Sequence, residues 1–186
     1  MIYIIMGSVR TRRLCPDIAV WIAQLCQQVA PQTDVEIIDL RDWPLSGEGE
    51  PAIPAQGDYQ TAGTRAWSEK IAQGDGFIFL TPQYNSGYPA ALKNAIDHLY
   101  CEWQQRPAMI VTYGGHGGGK CAEQLNQVLS GLKMRLVPEM PGLTLPKSII
   151  TDNPGAIDAA ALFGTARETI CSAIIALLSL AAQPAD

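Results

Sequence analysis

The sequence predicts an α/β fold in which a parallel sheet is covered by helices on both faces. Two observations carry this prediction. Short apolar runs alternate along the chain with amphipathic stretches, which is typical of strands and helices that alternate around a parallel sheet. The chain has 186 residues, of which 47% are hydrophobic, and a single domain spanning 1–186 is expected at this length.

The elements of the first third follow from local pattern. Residues 2–6 are uniformly apolar and predict a buried strand, and apolar residues recurring every three or four positions predict a helix at 16–29. A strand follows at 35–39. The segment 41–63 is rich in glycine and proline and predicts a long loop, after which a helix is expected at 64–73.

The later elements repeat the same alternation. A buried strand at 76–80 leads through a polar loop into a helix at 89–102, which begins at Pro89 because proline is favoured in a helix's first turn. The remaining elements are predicted as a strand at 107–112, a helix at 118–131, a strand at 134–138 with a further extended piece at 142–145, and a last helix at 157–181. Five strand–helix units suit a three-layer, flavodoxin-like fold whose five-stranded parallel sheet has the order 2-1-3-4-5. A Rossmann-type sheet is the alternative.

Composition excludes several classes of function. The formal net charge is −5, which leaves no basic footprint for nucleic acid. The apolar N-terminus is too short and lacks the basic flank of a signal peptide, and no apolar run is expected to span a membrane. We therefore expect a cytoplasmic protein. The five cysteines are odd in number and widely spaced, which argues against a disulfide framework, and with only His98 and His116 available a histidine-based metal site is not expected.

Three unusual segments follow strands 1, 3 and 4. In a 2-1-3-4-5 sheet these strands are neighbours, so the segments line one crevice at the carboxyl edge of the sheet, where such folds bind ligands. We call them the first loop (7–13), the second loop (81–88) and the third loop (112–120). Their convergence is a stronger signal than any one of them.

The first loop reads Gly-Ser-Val-Arg-Thr-Arg-Arg. Its hydroxyls, the amides at the start of the following helix and the guanidiniums together predict an anion site, since arginine matches phosphate geometry. A solvated basic turn is the competing interpretation. Arg12 has no assigned partner and is expected to face solvent.

The other two loops suit a flat, amphipathic ligand. The second loop offers Pro82, Tyr84 and Asn85, which combine apolar or aromatic surface with amide groups. The third loop has five glycines in six positions from Gly114 to Gly119, so its backbone can approach such a ligand and donate N–H groups to it. Ordinary burial of the tyrosines and simple flexibility of the glycines are the competing interpretations.

The string TPQYNSGYPAALKNAID at 81–97 resembles the flavin-contacting loop of the NAD(P)H-dependent FMN reductase family. The first loop is similar to the family's GSxRxxR/S segment and the third to its SYGGxGG segment, and the likeness extends over about 2–170. The resemblance implies that the flavin 5′-phosphate is held by Ser8, Arg10 and Arg13. It implies that the ribityl chain and isoalloxazine contact Pro82, Gln83, Tyr84, Asn85 and Ser86. It further implies that the flavin edge is met by Tyr113, Gly114, Gly115 and His116.

The resemblance also implies the activity. We expect an FMN-dependent oxidoreductase that passes hydride from NAD(P)H to a flavin, quinone, azo compound or oxyanion, with the chemistry on the flavin and no catalytic side chain. A flavodoxin-type electron carrier and a non-enzymatic flavin sensor are the alternatives. A homodimer or homotetramer is expected to close the cleft. Candidate interface residues are Trp43, Leu45, Ile53, Tyr59, Tyr100 and Trp103.

Overall fold

The structure, a computed structural model that describes residues 1–184, contains one parallel sheet. Its strand order is β2-β1-β3-β4-β5, with β6 also paired to β4. This confirms the predicted order 2-1-3-4-5. The strands are β1 (Ile2–Met6), β2 (Val35–Asp39), β3 (Gly76–Pro82), β4 (Pro107–Gly114), β5 (Arg135–Leu136) and β6 (Gly142–Thr144).

The helices cover both faces of the sheet. They are α1 (Cys15–Val29), α2 (Ala62–Ala72), α3 (Ala90–Asp97), α4 (Gly119–Gly131), α5 (Lys147–Asp152), α6 (Ala159–Leu162) and α7 (Arg167–Ala181). Alternate side chains of β1 enter different cores: Ile4 packs in the cluster under α1 and α7, and Ile5 in the cluster under α2, α3 and α4. The continuous apolar character of β1 therefore follows from burial on both faces.

The fifth position of the sheet is occupied by two short strands, which correspond to the strand predicted at 134–138 and the further extended piece predicted at 142–145. β5 pairs with the start of β4 and β6 with its end. Pro138 and Pro141 lie between β5 and β6. Proline cannot donate to a ladder, which explains the interruption. The division places β6, and the chain that follows it, beside the end of β4.

Two predicted helices are shorter in the structure. The helix expected at 89–102 ends at Asp97, and the Trp103 indole folds back and donates to the carbonyl of Ile96 (3.1 Å). The helix expected at 157–181 is divided into α6 and α7, because Phe163 turns into the core beside Trp21, with ring centroids 6.1 Å apart. Both changes result from burial of an aromatic side chain.

The expectation that no segment reaches membrane-spanning length is wrong. By length and composition alone, Gly164–Ala181 is apolar enough to cross a membrane. In the structure its residues Ile170, Ala173, Ile174 and Leu177 are buried in the core that also contains α1. The buried residues make up 22% of the segment, so packing within the fold accounts for part of its apolar character.

The predicted interface residues do not form one exposed aromatic surface. Tyr59 and Trp103 are 8% and 0% exposed and belong to the core, whereas Ile53 is 63% exposed. The Tyr59 hydroxyl donates to Glu102 (2.7 Å), which fastens the 41–63 segment to the region after α3. Tyr59 therefore holds this segment in place, and the buried Trp103 presents no surface to a partner.

Candidate functional site

The three loops meet in one cleft at the carboxyl ends of β1, β3 and β4. The strand register brings them level, since Met6 is paired with Leu80 and Thr81 with Thr112. The cleft encloses about 320 Å³. It is lined by Arg10, Arg12, Arg13, Leu14, Pro82, Gln83, Tyr84, Tyr113, Gly114, Gly115, Leu145, Ile149, Ile150 and Asn153.

Most of the predicted site residues lie on the wall of this cleft. Those on the wall are Arg10, Arg13, Pro82, Gln83, Tyr84, Tyr113, Gly114 and Gly115. Ser8 is fully buried behind the wall, and Asn85 and His116 are exposed outside it, as is part of Ser86. The loops therefore converge as predicted, while these four residues do not line the cleft.

The first loop is tightly packed where it leaves β1. The Gly7 N–H donates to the Leu80 carbonyl (2.8 Å), and a Cβ at Gly7 would lie 3.0 Å from Leu92 and from Thr81. Only glycine fits this close approach without displacing a neighbour. The turn therefore brings the Ser8 hydroxyl beneath the cleft, 3.0 Å from the Tyr84 hydroxyl.

Arg13 is held by protein groups. Its guanidinium donates to the Ser8 carbonyl (2.5 Å) and forms a bidentate pair with Asp39 at the end of β2. Burial alone would raise the pKa of the Asp39 carboxyl, but hydrogen bonds from Arg13 and from the Arg41 N–H hold that pKa below its usual value. Arg13 thus braces the first loop, whereas the side chains of Arg10 and Arg12 are exposed at the cleft.

Arg10 joins the first loop to the second. Its guanidinium carbon lies 3.7 Å from the centroid of the Tyr84 ring, a distance at which a cation is attracted to an aromatic face. Because the Tyr84 hydroxyl also contacts Ser8, one tyrosine contacts the first loop at two points. Arg12 is exposed, as expected, and it also lines the cleft.

The second loop contains a two-residue turn. Tyr84 and Gly87 exchange backbone hydrogen bonds of 2.8 and 2.9 Å, and the residues between them, Asn85 and Ser86, have φ angles of +49° and +69°. Turns with two left-handed residues favour Asn-Gly. Asn85 therefore suits its position, while Ser86 occupies a conformation better suited to glycine.

The third loop is shaped by its glycines. Gly117 and Gly118 have φ angles of +72° and +85°, and a Cβ at Gly118 would lie 2.7 Å from the Thr112 Cβ. The Thr112 hydroxyl donates to the Gly117 carbonyl (2.7 Å) and fastens the loop to β4. The loop thus presents its backbone to the cleft at Gly114 and Gly115.

The Tyr113 phenol in the lining of the cleft and the fully buried Cys15 thiol beside it both stay protonated near neutral pH. Burial raises the pKa of Cys15 to about 11. Burial, together with the adjacent Cys15, raises the pKa of Tyr113 well above its usual value. Neither group supplies an anionic nucleophile. Tyr113 can act there only as a hydroxyl donor or acceptor.

One wall of the cleft was missed by sequence reasoning. The segment after β6 contributes Leu145, Ile149, Ile150 and Asn153, and the Leu145 N–H donates to the Gly114 carbonyl (2.9 Å). A signal was available, because proline precedes α5 and Asn153, with φ +41°, ends it. The helix has only six residues, too few for a periodic pattern.

The residues of the cleft fit a flavin mononucleotide. Exposed guanidiniums at one end suit a phosphate, and the glycine backbone at the other suits the polar edge of a planar ring. Between them Pro82, Tyr84 and Ile150 offer apolar surface. The volume lies within the range of about 300–1,000 Å³ that is typical of small-molecule sites.

Comparisons with known proteins agree with this chemistry. The model of a family described as NADPH-dependent FMN reductase matches residues 1–143. An NAD(P)H-dependent FMN reductase of Schizosaccharomyces pombe is 54% identical over 164 residues, which cover 87% of this chain and 80% of the relative. One from Saccharomyces cerevisiae is 46% identical over 144 residues, or 72% of this chain and 75% of the relative.

The fold also matches solved structures. The flavoenzyme FerB of Paracoccus denitrificans, an NAD(P)H:(acceptor) oxidoreductase, superposes with a TM-score of 0.66 at 17% identity. The match covers 96% of this chain and 97% of that protein. At this level of identity the likeness confirms the flavodoxin-like fold.

Proposed function

The chain belongs to the NADPH-dependent FMN reductase family, and from this premise we propose that it binds FMN in the cleft and transfers reducing equivalents from NAD(P)H to a small-molecule acceptor. The observation that carries the proposal is the meeting of exposed arginines, an aromatic wall and a glycine backbone in one cleft. Bound FMN would supply the two-electron chemistry that no side chain can supply.

The side chains of the first loop would hold the phosphate in two ways. Arg10 and Arg12 provide exposed guanidiniums for direct contact. Ser8 and Arg13, which are committed to Tyr84 and Asp39, keep the loop in shape around the anion. This division refines the sequence-based interpretation, in which Arg13 was a direct ligand.

The remaining walls would orient the ring and exclude water. Pro82 and Tyr84 provide the apolar face, and the backbone at Gly114 and Gly115 provides donors for the polar edge. Ile150 partly covers the cleft from α5, its Cδ1 3.1 Å from where a Gly115 Cβ would stand. Asn85, Ser86 and His116 would act at the mouth, where His116 could donate a hydrogen bond to the ring edge.

The apolar wall that includes α5 indicates which class of electron acceptor fits the cleft. Leu145, Ile149 and Ile150 favour flat aromatic molecules such as flavins and quinones over oxyanions. A flavodoxin-type carrier is not favoured, because the family and the fungal relatives are NAD(P)H-dependent reductases. NADPH is the proposed donor.

Two broader properties belong to the same proposal. A homodimer or homotetramer would close the open side of the cleft, and light scattering of the purified protein measures its mass. Cytoplasmic location is supported by the cysteines, all of which are free, as is usual where thiols are kept reduced.

The proposal is tested by titrating the purified protein with FMN and then measuring NADPH oxidation. We expect quenching of flavin fluorescence at micromolar concentration and NADPH oxidation that depends on an added quinone or flavin. Absence of FMN binding would refute the proposal. Binding without NADPH oxidation, with any acceptor tested, would identify a carrier or sensor instead.

A further inference from the structure

Gln83 is held in one orientation by a helix that contributes no side chain to the contact. It directly follows β3, and its backbone N–H donates to the Tyr113 carbonyl (2.9 Å). Its side-chain oxygen accepts the backbone N–H of Cys121 (3.1 Å), the third residue of α4. The first amides of a helix have no acceptor within the helix, and the residue before α4 is Gly118, which has no side chain to cap them. Gln83 supplies the missing acceptor from the neighbouring strand.

This contact determines which end of the amide faces the cleft. A backbone N–H can only donate, so the atom facing Cys121 must be the amide oxygen. The other end is the NH₂ group, and among residues 1–184 no acceptor lies within hydrogen-bonding distance of it. Every buried side-chain nitrogen and oxygen of the described chain has a partner, so this NH₂ group is accessible, and the half-buried Gln83 lines the cleft.

We propose that α4 holds the Gln83 amide in one orientation, so that its NH₂ group is a fixed donor in the cleft. This donor would favour the flavin in its reduced, more electron-rich state. The inference rests on the proposed function. A fixed donor stabilises negative charge without reorganisation when that charge appears. The contact between Gln83 and α4, which we call the lock, also joins the second loop to that helix directly behind the third loop. A Cβ at Gly114 would lie 3.5 Å from the Gln83 Cβ, so the donor stands beside the glycine backbone of the third loop.

Two substitutions separate the lock from the donor. Gln83→Glu keeps an oxygen for the Cys121 N–H but replaces the donor with an anionic acceptor. Gln83→Met has a similar length and removes both. Gln24→Glu, on the exposed surface of α1, adds the same charge away from the cleft and serves as the control.

The contact between Gln83 and α4 is tested by thermal unfolding of the protein without added flavin. We expect Gln83→Met to lower the thermal midpoint by about 2–4 °C, as for loss of a helix cap of about 1 kcal/mol, and Gln83→Glu to keep the wild-type midpoint. An unchanged midpoint in Gln83→Met would overturn the lock.

The role of the Gln83 NH₂ group as a donor is tested by the midpoint potential of bound FMN. This potential reports the ratio of the protein's affinities for the oxidised and reduced forms of FMN. We expect Gln83→Glu to weaken the reduced form relative to the oxidised form by about tenfold, or about 30 mV for a two-electron couple. Gln83→Met should show a smaller shift in the same direction, and Gln24→Glu none. If the wild type binds FMN and Gln83→Glu retains its potential, the inference fails while the proposed function stands. If the wild type binds no FMN, both fail.

Discussion

The two ends of the cleft are built by different means. At the first loop, side chains from three strand ends hold one another: Arg13 with Asp39, Ser8 with Tyr84, and Arg10 over the Tyr84 ring. At the third loop, glycines let the backbone fold against β4 with little side-chain support. The first end is therefore held by charged and hydroxyl side chains, whereas the other end requires glycines, where a side chain would not fit.

The largest effect is expected at the glycine end. Gly118→Ala places a Cβ 2.7 Å from Thr112 at a residue with φ +85°. The left-handed conformation costs about 1–2 kcal/mol and overpacking about 1–3 kcal/mol, so we expect destabilisation of about 2–4 kcal/mol in urea unfolding.

Gly119→Ala is the matched control, because a Cβ there meets nothing within 4 Å. Alanine is favoured over glycine in a helix by about 0.5–1 kcal/mol, so this variant should be neutral or slightly more stable. Equal destabilisation by both variants would contradict the distinction between the two ends.

The next largest effect concerns the exposed arginines. Arg10→Ala should weaken binding of FMN more than of riboflavin, which lacks the phosphate. A hydrogen bond to a charged group contributes about 1.5–3 kcal/mol, or about 10–150-fold in affinity. Arg12→Ala should have a smaller effect, because among residues 1–184 no aromatic ring lies against its guanidinium as Tyr84 does against Arg10. An equal loss for both flavins in fluorescence titrations would show that the first loop is not the phosphate site.

The Asp39–Arg13 pair should make stability depend on pH. The pKa of Asp39 is lower in the folded chain than its ordinary value, so the pair stabilises the fold above that value and loses its contribution as the pH falls through the folded pKa. At neutral pH we expect Asp39→Asn to cost about 1–2 kcal/mol, at the lower end for hydrogen bonds to charged groups because Asp39 is partly exposed.

The pH dependence provides the check. Below about pH 4, where an ordinary aspartate is protonated, the unfolding free energy of the wild type should approach that of Asp39→Asn. Asp42→Asn, at an exposed position nearby, should behave as the wild type at every pH. A constant difference between the wild type and Asp39→Asn through the acid range would refute the role of the pair.

The smallest effect is a gain in stability in the second loop. Ser86→Gly should relieve the left-handed conformation at φ +69° and stabilise the protein by about 0.5–1 kcal/mol, since part of the relief is offset by the entropy of glycine in the unfolded chain. Asn85→Gly should gain less, because asparagine tolerates this conformation. A loss of stability in Ser86→Gly would mean that the serine hydroxyl supports the turn.

The sequence predicted the sheet order and the convergence of the loops because local pattern locates the strands and helices, and parallel sheets built from five such units commonly adopt one order. Apolar runs predict the strands of a parallel sheet, and polar or glycine-rich breaks after strands 1, 3 and 4 predict the cleft. It did not predict α5, since six residues carry too little periodicity. Nor did it predict the engagement of Arg13 by Asp39, since these residues are 26 positions apart.

The side-chain orientations of Trp103 and Gln83 likewise could not be predicted from local sequence pattern. Trp103 was expected on a surface, but its indole packs in the core and donates to Ile96. The orientation of Gln83 depends on a backbone amide 38 residues away in α4. Local pattern is silent on such pairs, because it describes how one segment folds and not which groups meet across segments.

Residue type and position along the chain predicted the candidate flavin-binding residues, which are the arginines after β1, the aromatic turn after β3 and the glycines after β4. Their chemical types and their places after apolar strands are local properties. The contacts that these residues make depend on the folded chain. It committed Arg13 to Asp39, left Arg10 and Arg12 exposed, and added the wall from α5. The physical reason is that a buried charge or amide takes whichever partner packing brings within hydrogen-bonding distance, and that partner comes from another part of the chain.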